Sequence, residues 1–412
     1  MNDLIYWIWL SLSCTPGSTT FARLLESFDN AKDIYFAEEG DIRKSVGSKR
    51  SDCSLLLNKD ITKAEKIYEF CTSKGVGILT YEDENFPESL RDIPTPPVLL
   101  YYRGKLPDFN RGFRIAVVGT RKLSSYGRIN AFKISYDLAV SGATVVSGMA
   151  TGIDGVALAG AIAGGGVTVV FLGSGIDVCY PREHITLARE IVKNGCVFTE
   201  YPPGTKPLQH NFPKRNRLIS GLCSATLVIE GTEGSGAMIT ARCAKEQMRR
   251  IYAFPGNVGN ANSEASNLLI KNGASLCTSA DDIVRDFEFE FKGVFNPYKL
   301  AESKPVNMDA VLREFCVSAV CPDDDIFSPP KKKKEETKPV EQIKDEKLPP
   351  DNSFEFDKDT LMIYKRIPMN EEISIEELVR DGETLRSVMK LLLKLEMGRF
   401  VEILPGERVK RN

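Results

Sequence analysis

Residues 111–290 contain six short apolar runs, each followed by glycine or a polar loop and then by a helical stretch. The runs are Ile115–Val118, Ala143–Val146, Val167–Leu172, Cys196–Thr199, Ala225–Ile229 and Ile251–Phe254. They are rich in β-branched residues and lack apolar–polar alternation, which is typical of strands that are buried on both faces. Repeated strand–helix units predict an α/β fold with a mostly parallel sheet and right-handed crossovers. In such a sheet a ligand binds at the carboxyl ends of the strands.

The rest of the 412-residue chain is predicted to flank this sheet. Residues 1–75 have apolar side chains at three- and four-residue spacing, which predicts a helical module, and residues 76–110 form an extended lead-in to the domain at 76–290. Residues 291–357 are predicted to be a largely disordered linker, because their central part is rich in proline and lacks apolar periodicity. Residues 358–412 predict three helices and a strand–turn–strand wing, the pattern of a winged helix.

The turn Thr15-Pro16-Gly17-Ser18 separates two apolar runs of the helical module. A turn that leads into a helix can hold a backbone phosphate on its N–H groups. This turn contains no basic residue, so a packing role is favoured.

Charge and cysteine content exclude several classes of protein. The 54 Lys and Arg against 56 Asp and Glu exclude a uniformly basic nucleic-acid coat, but permit a local basic groove. Two histidines, His184 and His210, are too few for a histidine-rich metal site. The ten cysteines form no CxxC pair, which favours reduced cytoplasmic thiols. The apolar N-terminus lacks a basic n-region and a cleavage site, and no later run reaches about 18 apolar residues, so we expect a cytoplasmic protein without a membrane span.

Four strand ends carry glycine-rich loops, at residues 117–128, 147–157, 171–181 and 230–242. Glycine lets backbone N–H groups approach an anion, and a helix that begins there adds its positive end. One such loop is explained by a tight turn, but four at one sheet edge predict a phosphate cradle. There is no P-loop motif and no GxGxxG after the first strand. Asp154, at a helix start, is explained as well by capping as by catalysis.

The segment Gln209–Leu222 (QHNFPKRNRLISGL) places Lys214, Arg215 and Arg217 close to Phe212. Basic side chains neutralise backbone phosphates, and an aromatic face stacks an unpaired base. Because the segment follows a strand end and precedes an apolar helix, its charges are predicted to face the cleft. Single-stranded nucleic acid is therefore favoured over a solvated charged face.

With these motifs the sequence resembles the DNA-processing protein A family (DprA, also called Smf). The matching segments run in the family's order through residues 80–283 and include VVGTRKLSSYGR, VVSGMATGIDGVAL, TEYPPGTKPLQHNFPKRNRLISGL and LVIEGTEGSGAMITARCA. The resemblance implies a Rossmann-like domain, an N-terminal module similar to SAM or helix–hairpin–helix domains, and a C-terminal winged helix. It also implies a homodimer that binds single-stranded DNA without sequence preference. Such a protein protects incoming DNA in natural transformation and helps load the recombinase RecA onto DNA coated by single-strand-binding protein. No enzymatic activity, cofactor or metal is implied.

The resemblance also implies a DNA pocket with a phosphate clamp, a backbone cradle, a stacking ring and a floor. These are Arg121 as the clamp; Ser147, Gly148, Gly152 and Gly173 as the cradle; Phe212 as the ring; Lys214, Arg215 and Arg217 as phosphate partners; Asn216 as the residue that orients them; and Ser235, Gly236 and Thr240 as the floor. The sequence departs from the family pattern at Leu158, where a histidine is usual, and at Met248 and Ala265-Ser266, where a glycine is usual.

Two other functions stay open at this point. The residues EGTEG at 230–234 loosely match the PGGxGTxxE motif of phosphoribohydrolases, which would make the protein a nucleotide-processing enzyme on a related fold. The protein could also be an adaptor whose winged helix is the contact surface.

Overall fold

The computed structural model describes residues 3–47, 51–109, 111–296 and 306–316, together with positions 360, 363, 364, 366, 367, 373–378, 388, 389, 391, 392, 395, 396, 400–404 and 408–411. The chain divides into two compact units, residues 1–332 and residues 333–412. The predictions made for residues 317–357 lie outside the described residues.

Helices fill the described part of residues 4–74. They are α1 (Leu4–Ser13), α2 (Thr20–Leu25), α3 (Ala31–Phe36), α4 (Glu39–Val46), α5 (Ser51–Leu57) and α6 (Thr62–Lys74). Helix α1 is apolar around its circumference and is buried from Ile5 to Leu10, because it packs against α3, α5 and α6. None of the described helices is both long and apolar enough to cross a membrane.

Nine strands form the main sheet, in the order β1-β2-β6-β5-β4-β3-β7-β8-β9. They are β1 (Gly77–Thr80), β2 (Leu99–Gly104), β3 (Arg114–Val118), β4 (Thr144–Ser147), β5 (Thr168–Phe171), β6 (Cys196–Thr199), β7 (Ala225–Val228), β8 (Arg250–Ala253) and β9 (Ser275–Leu276). The pairs β1–β2 and β2–β6 are antiparallel, and the pairs from β6 to β9 are parallel. All six predicted strands are present, and the predicted α/β fold with a mostly parallel sheet is confirmed.

Helices cover both faces of this sheet. They are α7 (Glu88–Arg91), α8 (Ser125–Val140), α9 (Ile153–Ala163), α10 (Ile185–Asn194), α11 (Asn211–Gly221), α12 (Gly236–Glu246), α13 (Glu264–Lys271) and α14 (Ala280–Phe287). Alternate residues of β3 point to opposite faces: Ile115 and Val117 pack with α8, α9, α10 and α14, whereas Ala116 and Val118 pack with α11 and α12. The N-terminal helices share the first of these two cores, which reaches them through β2.

Within the range predicted as a linker, the structure contains one more helix, α15 (Met308–Cys316). Its Leu312 and Phe315 are buried, and the helix packs on α9 and α10. This cover explains why α9, with the sequence IDGVALAGAIA, is apolar on all sides.

The C-terminal unit contains a three-stranded antiparallel sheet in the order β10-β12-β11, formed by β10 (Ile373–Ser374), β11 (Val401–Leu404) and β12 (Arg408–Arg411). A short helix, α16 (Ile375–Leu378), follows β10. The C-terminal unit has a hydrophobic core of its own, which includes Ile363, Leu392 and Val409. The assignment of this unit as a winged helix stays a prediction.

Candidate nucleic-acid interface

A cleft of about 600 Å³ opens beyond the carboxyl ends of β3 and β7. These neighbouring strands mark the point where the strand order reverses, since β4 lies on one side of β3 and β7 on the other. Ligands of open α/β sheets bind at such a point. Most of the wall comes from the loop after β3, the first half of α11, and the start of α12 with the residue before it. Single residues from the β4–α9 connection, the loop after β5 and the segment before α11 complete it.

Arg121, in the loop after β3, lines the cleft with an exposed side chain. The loop itself is firmly held. The Glu230 carboxylate accepts hydrogen bonds from the Ser124 N–H at 3.0 Å and the Ser124 hydroxyl at 2.5 Å, and the Glu230 carbonyl accepts one from the Thr120 N–H at 2.8 Å. Gly152 approaches so closely that a Cβ there would lie 2.3 Å from the Thr120 carbonyl oxygen. Arg121 thus has an exposed side chain on a fixed backbone, and it forms no ion pair with the described carboxylates.

Phe212 lies in the wall beside two guanidinium groups. The Cζ atoms of Arg121 and Arg215 lie 5.4 Å and 5.8 Å from its ring centroid. The Tyr180 ring, also in the wall, is 5.5 Å away and tilted by 41°. Gly173 makes room for the ring, because a Cβ there would lie 2.8 Å from the Phe212 Cδ1 atom. The two aromatic rings form a surface on which a flat group can stack.

Arg215 is buried and its guanidinium faces the protein's own backbone. Its Nη1 donates hydrogen bonds to the Gly148 carbonyl at 2.8 Å and to the Phe171 carbonyl, and its Nε donates to the Asn216 side chain at 3.3 Å. Burial lowers the pKa of Arg215 to about 10. A Cβ at Gly148 would lie 2.6 Å from the Arg215 Nη2, so this glycine is needed for the close approach. Arg215 therefore builds the wall, with its hydrogen-bonding capacity largely used by the protein.

The loop between β4 and α9 packs against Arg215 on the side away from the cleft and holds it in place. The Ser147 hydroxyl donates to a carbonyl of β3 at 2.7 Å, and Asp154 accepts hydrogen bonds from the Gly148 N–H at 3.2 Å and from a second loop N–H. Met149 has a φ of 55°, a conformation that costs a non-glycine residue energy. The buried His184 ring hydrogen-bonds the Met149 carbonyl through Nδ1 at 3.0 Å and holds it there. Burial raises the pKa of Asp154, and the neighbouring Arg215 opposes this shift.

The start of α12 closes the cleft on the side of β7. Ser235, Gly236 and Thr240 line the cleft, and the positive end of the helix is directed into it. The Asn216 side chain donates to the Gly236 carbonyl at 3.2 Å and so joins α11 to α12. The buried Ser235 hydroxyl has no hydrogen-bond partner in the described structure.

Two of the predicted phosphate contacts, Lys214 and Arg217, do not reach the cleft. Arg217 is 7% exposed, and its Nη2 donates to both oxygens of the buried Glu200, at 2.9 and 2.5 Å. The Lys214 stem lies beside Gly17 of the N-terminal module. The reason is the helical period of α11, which begins at Asn211: residues 212, 215, 216 and 219 share the cleft face, and residues 214 and 217 point away. The prediction that all the basic residues of this segment face the cleft was wrong.

Seven of the thirteen predicted residues line the cleft: Arg121, Phe212, Arg215, Asn216, Ser235, Gly236 and Thr240. Ser147, Gly148, Gly152 and Gly173 support the wall from behind, as described above. Sequence reasoning missed Thr120, Tyr180 and Gln209, which also line the cleft. Tyr180 lies near the end of the third glycine-rich loop. An aromatic residue in a predicted phosphate-binding loop was the sequence feature that could have identified it as a stacking residue. Among the described residues, no group of three or more His, Cys, Asp or Glu side chains could hold a metal ion.

Comparison with known proteins agrees with this architecture. The model of the family described as DNA recombination-mediator protein A matches residues 77–288. DNA processing protein DprA of Streptococcus pneumoniae is 39% identical over 250 residues, which cover 61% of this chain and 87% of that protein. Protein Smf of Escherichia coli is 39% identical over 213 residues, 52% of this chain and only 57% of the relative's length. DprA of Bacillus subtilis is 34% identical over 224 residues, 54% of this chain and 75% of the relative.

Among solved structures, the X-ray structure of DNA processing protein A from S. pneumoniae superposes with a TM-score of 0.61 at 32% identity, and the match covers 70% of this chain and 99% of that one. The family model covers more than half of the 412 residues, including every described residue of the cleft wall. The chain therefore belongs to the DNA recombination-mediator protein A family.

Proposed function

We propose that the protein binds single-stranded DNA without sequence preference in this cleft and acts as a recombination mediator. The observation that carries the proposal is the placement of the exposed Arg121 beside the Phe212 ring, opposite the positive end of α12. An arginine and a helix N-terminus bind phosphate, and an aromatic ring binds a base. Every base has a stackable face, so this combination does not read sequence. In a duplex those faces are hidden by neighbouring bases, which favours an unpaired strand.

We further propose that the protein makes and breaks no covalent bond. Asp154, the carboxylate in the described cleft wall, accepts hydrogen bonds from backbone N–H groups. Glu230, which follows β7, holds the start of α8. Glu230 also belongs to the loose phosphoribohydrolase motif, and its engagement with Ser124 argues against that enzymatic role.

The wider role that we propose is to protect incoming DNA in natural transformation and to help load RecA onto DNA coated by single-strand-binding protein. We propose a homodimer formed through the α/β domain, for which the edge strand β9 with its half-exposed Leu276 offers a pairing surface. A cytoplasmic location is supported by the eight free cysteines among the described residues, of which seven are buried.

The test is a titration of a fluorescent poly-dT oligonucleotide with the full chain across a salt series, with duplex DNA and mononucleotides as competitors. Arg121→Glu is expected to weaken binding about tenfold or more, because a hydrogen bond to a charged group contributes ~1.5–3 kcal/mol. The loss is expected to be the same for all sequences, since phosphate contacts carry no sequence information.

Lys105→Glu is the matched control. This exposed lysine follows β2, whose end pairs with the start of β6, so it lies at the sheet edge opposite the cleft. The same change of charge there should leave the affinity unaltered. Equal losses in both variants, or release of free base from nucleoside monophosphates, would contradict the proposal.

A further inference from the structure

Arg217, which the cleft does not use, is an incompletely satisfied buried cation. Its Nη2 is paired with Glu200, but its Nε and Nη1 are buried and have no hydrogen-bond partner in the described structure. Leaving a buried charged donor unpaired costs more free energy than leaving a neutral donor unpaired. Buried donors of this kind are normally satisfied by a water molecule when the protein supplies no acceptor.

A small cavity lies where such a water is needed. It has a volume of about 20 Å³ and is lined by Arg217 and Glu200 on one side and by the turn Thr15–Ser18 on the other. One water molecule needs about 10–15 Å³ measured in this way. The turn approaches closely, because a Cβ at Gly17, where φ is +75°, would lie 3.4 Å from the Arg217 Nε atom. The cavity wall thus combines the unpaired donors of Arg217 with the hydroxyl-bearing Thr15 and Ser18. Apolar residues complete the lining, among them Phe21, Val98 and Leu99.

The turn is built rigidly from the side of the N-terminal module. The buried Asp52 of α5 accepts hydrogen bonds from the hydroxyls of Thr15 at 2.5 Å, Thr20 at 2.5 Å and Ser18 at 3.0 Å, and from the Thr15 N–H at 3.3 Å. Burial favours protonation of this carboxyl, but the hydroxyl donors hold the pKa of Asp52 below its usual value. A charged, fully bonded Asp52 fixes the surface that the turn presents to Arg217.

We propose that Arg217 is the docking residue of the N-terminal helical module, joined to the turn Thr15–Ser18 by a water molecule in this cavity. Arg217 thereby positions α11, the helix that carries Phe212 and Arg215, instead of contacting DNA. Only this last consequence rests on the proposed DNA-binding function. The hydrated contact itself is independent of it.

Arg217→Lys in the full chain tests the proposal. Lysine keeps a charge for Glu200 but lacks the second arm of the guanidinium fork. Hydrogen–deuterium exchange of the amides of residues 14–20 is expected to become about tenfold faster, as local opening of the turn becomes easier. Affinity for poly-dT is expected to fall a fewfold, while the slope of log affinity against log salt stays the same. A residue that contacts phosphate would behave differently, because lysine would take over its contact and the affinity would stay nearly unchanged. Only the removal of its charge would change the slope, by about 0.7.

Asp52→Asn releases the same turn from the side of the module and is expected to increase the exchange rate of the same amides, which shows the size of the effect when the turn opens. The electron-density test given below stays valid if Arg217→Lys does not fold. Asp60→Asn, at an exposed carboxylate of the module that caps Thr62, is the control and should change neither amides nor affinity. Unchanged exchange in both test variants would overturn the proposal. So would an electron-density map of the full chain without a water within hydrogen-bonding distance of Nε or Nη1. If the wild-type protein fails to bind poly-dT, the exchange result still decides the docking role.

Discussion

Two arginines contact Phe212, and they differ in how far their side chains can move. Arg215 is buried and bonded to carbonyl groups, whereas Arg121 is exposed and has a fixed backbone but a free side chain. A cation over an aromatic ring at an exposed site contributes only ~0.5–1 kcal/mol. A phosphate group can therefore draw Arg121 away from the ring, which frees a ring surface for a base.

Tyr180→Ala is expected to weaken binding of poly-dT about tenfold, since stacking of one base contributes ~1–3 kcal/mol. The Tyr180 ring is 40% exposed and lies next to Phe212. Binding of an abasic oligonucleotide of the same length should not change, because it has phosphates but no bases. Parallel titrations of the two oligonucleotides measure the difference.

The control for this substitution is Phe289→Ala, which removes an aromatic ring that is 84% exposed and does not line the cleft. It should affect neither oligonucleotide. An equal loss for both oligonucleotides in Tyr180→Ala would show that Tyr180 supports the fold of the cleft and not a base.

The basic residues after β6 show what sequence could and could not predict at this scale. Their charge and the neighbouring Phe212 identified a segment that forms part of the cleft wall. The direction in which these basic side chains point depends on where the helix begins. The sequence pattern predicts a loop here, followed by an apolar helix. In the structure α11 begins at Asn211, so the helical period separates Arg215 from Arg217. Arg217 forms an ion pair with the carboxylate of Glu200, which follows β6. The sequence does not reveal this pair, because the two residues become neighbours only in the folded chain.

At the level of elements, the parallel strands were predictable because burial on both faces requires continuous apolar runs. Ser124 accepts a hydrogen bond from the Gly127 N–H and caps α8. Helix α15 was not predicted, although six of the nine residues in its sequence MDAVLREFC are apolar. The linker prediction was based on the proline-rich stretch that follows and not on this segment. Two of its apolar residues, Leu312 and Phe315, are buried. Their burial depends on α9, which is distant in sequence. Short elements of this kind are stabilised by tertiary contacts and not by local propensity.

His184, in the turn Arg182–His184, hydrogen-bonds Met149 of the β4–α9 loop. Because His184 can take up a proton, the free energy of unfolding is predicted to depend on pH. Burial lowers the pKa of His184, although its bond to Met149 opposes this. As the pH falls below about 6.5, the unfolded chain takes up the proton before the folded protein does. The unfolding free energy should therefore fall on acidification, by at most about 1.4 kcal/mol per pH unit from this residue.

Urea denaturation between about pH 8 and about pH 5 measures this effect. His184→Asn removes the titrating group and should flatten the pH dependence over this range. His210→Asn, at the exposed second histidine, should leave it as in the wild type. The same slope in the wild type and His184→Asn would contradict the assignment.

On the scale of the whole molecule, every described residue of the cleft wall lies between Val118 and Thr240. The C-terminal unit has its own core and contributes none of them. From the proline-rich composition of residues 322–351, sequence predicts a linker between domains, and its bounds stay a prediction. The sequence could not predict that the first core extends into the N-terminal helices, because that contact depends on the antiparallel insertion of β2.

Deletion of residues 322–412 is expected to leave the affinity for poly-dT unchanged, and fluorescence anisotropy measures it. A chain that ends at residue 296 also loses α15, and with it the cover that Leu312 and Phe315 provide for α9. That shorter chain should melt at a lower temperature, although its cleft residues are intact. A loss of affinity in the longer chain would assign part of the DNA binding to the C-terminal unit. An unchanged affinity would instead support the adaptor interpretation, in which that unit is a contact surface.

Arg215 donates its hydrogen bonds to backbone carbonyls, and this affects how a bound polymer dissociates from the cleft. Arg121, Arg215 and Asp154 are the charged residues of the described wall, so the net attraction for a polyanion is small. Ring contacts form and break one nucleotide at a time, and none of them requires the others to open first. A strand retained in this way can be transferred to a competing protein in short steps, each with a low barrier.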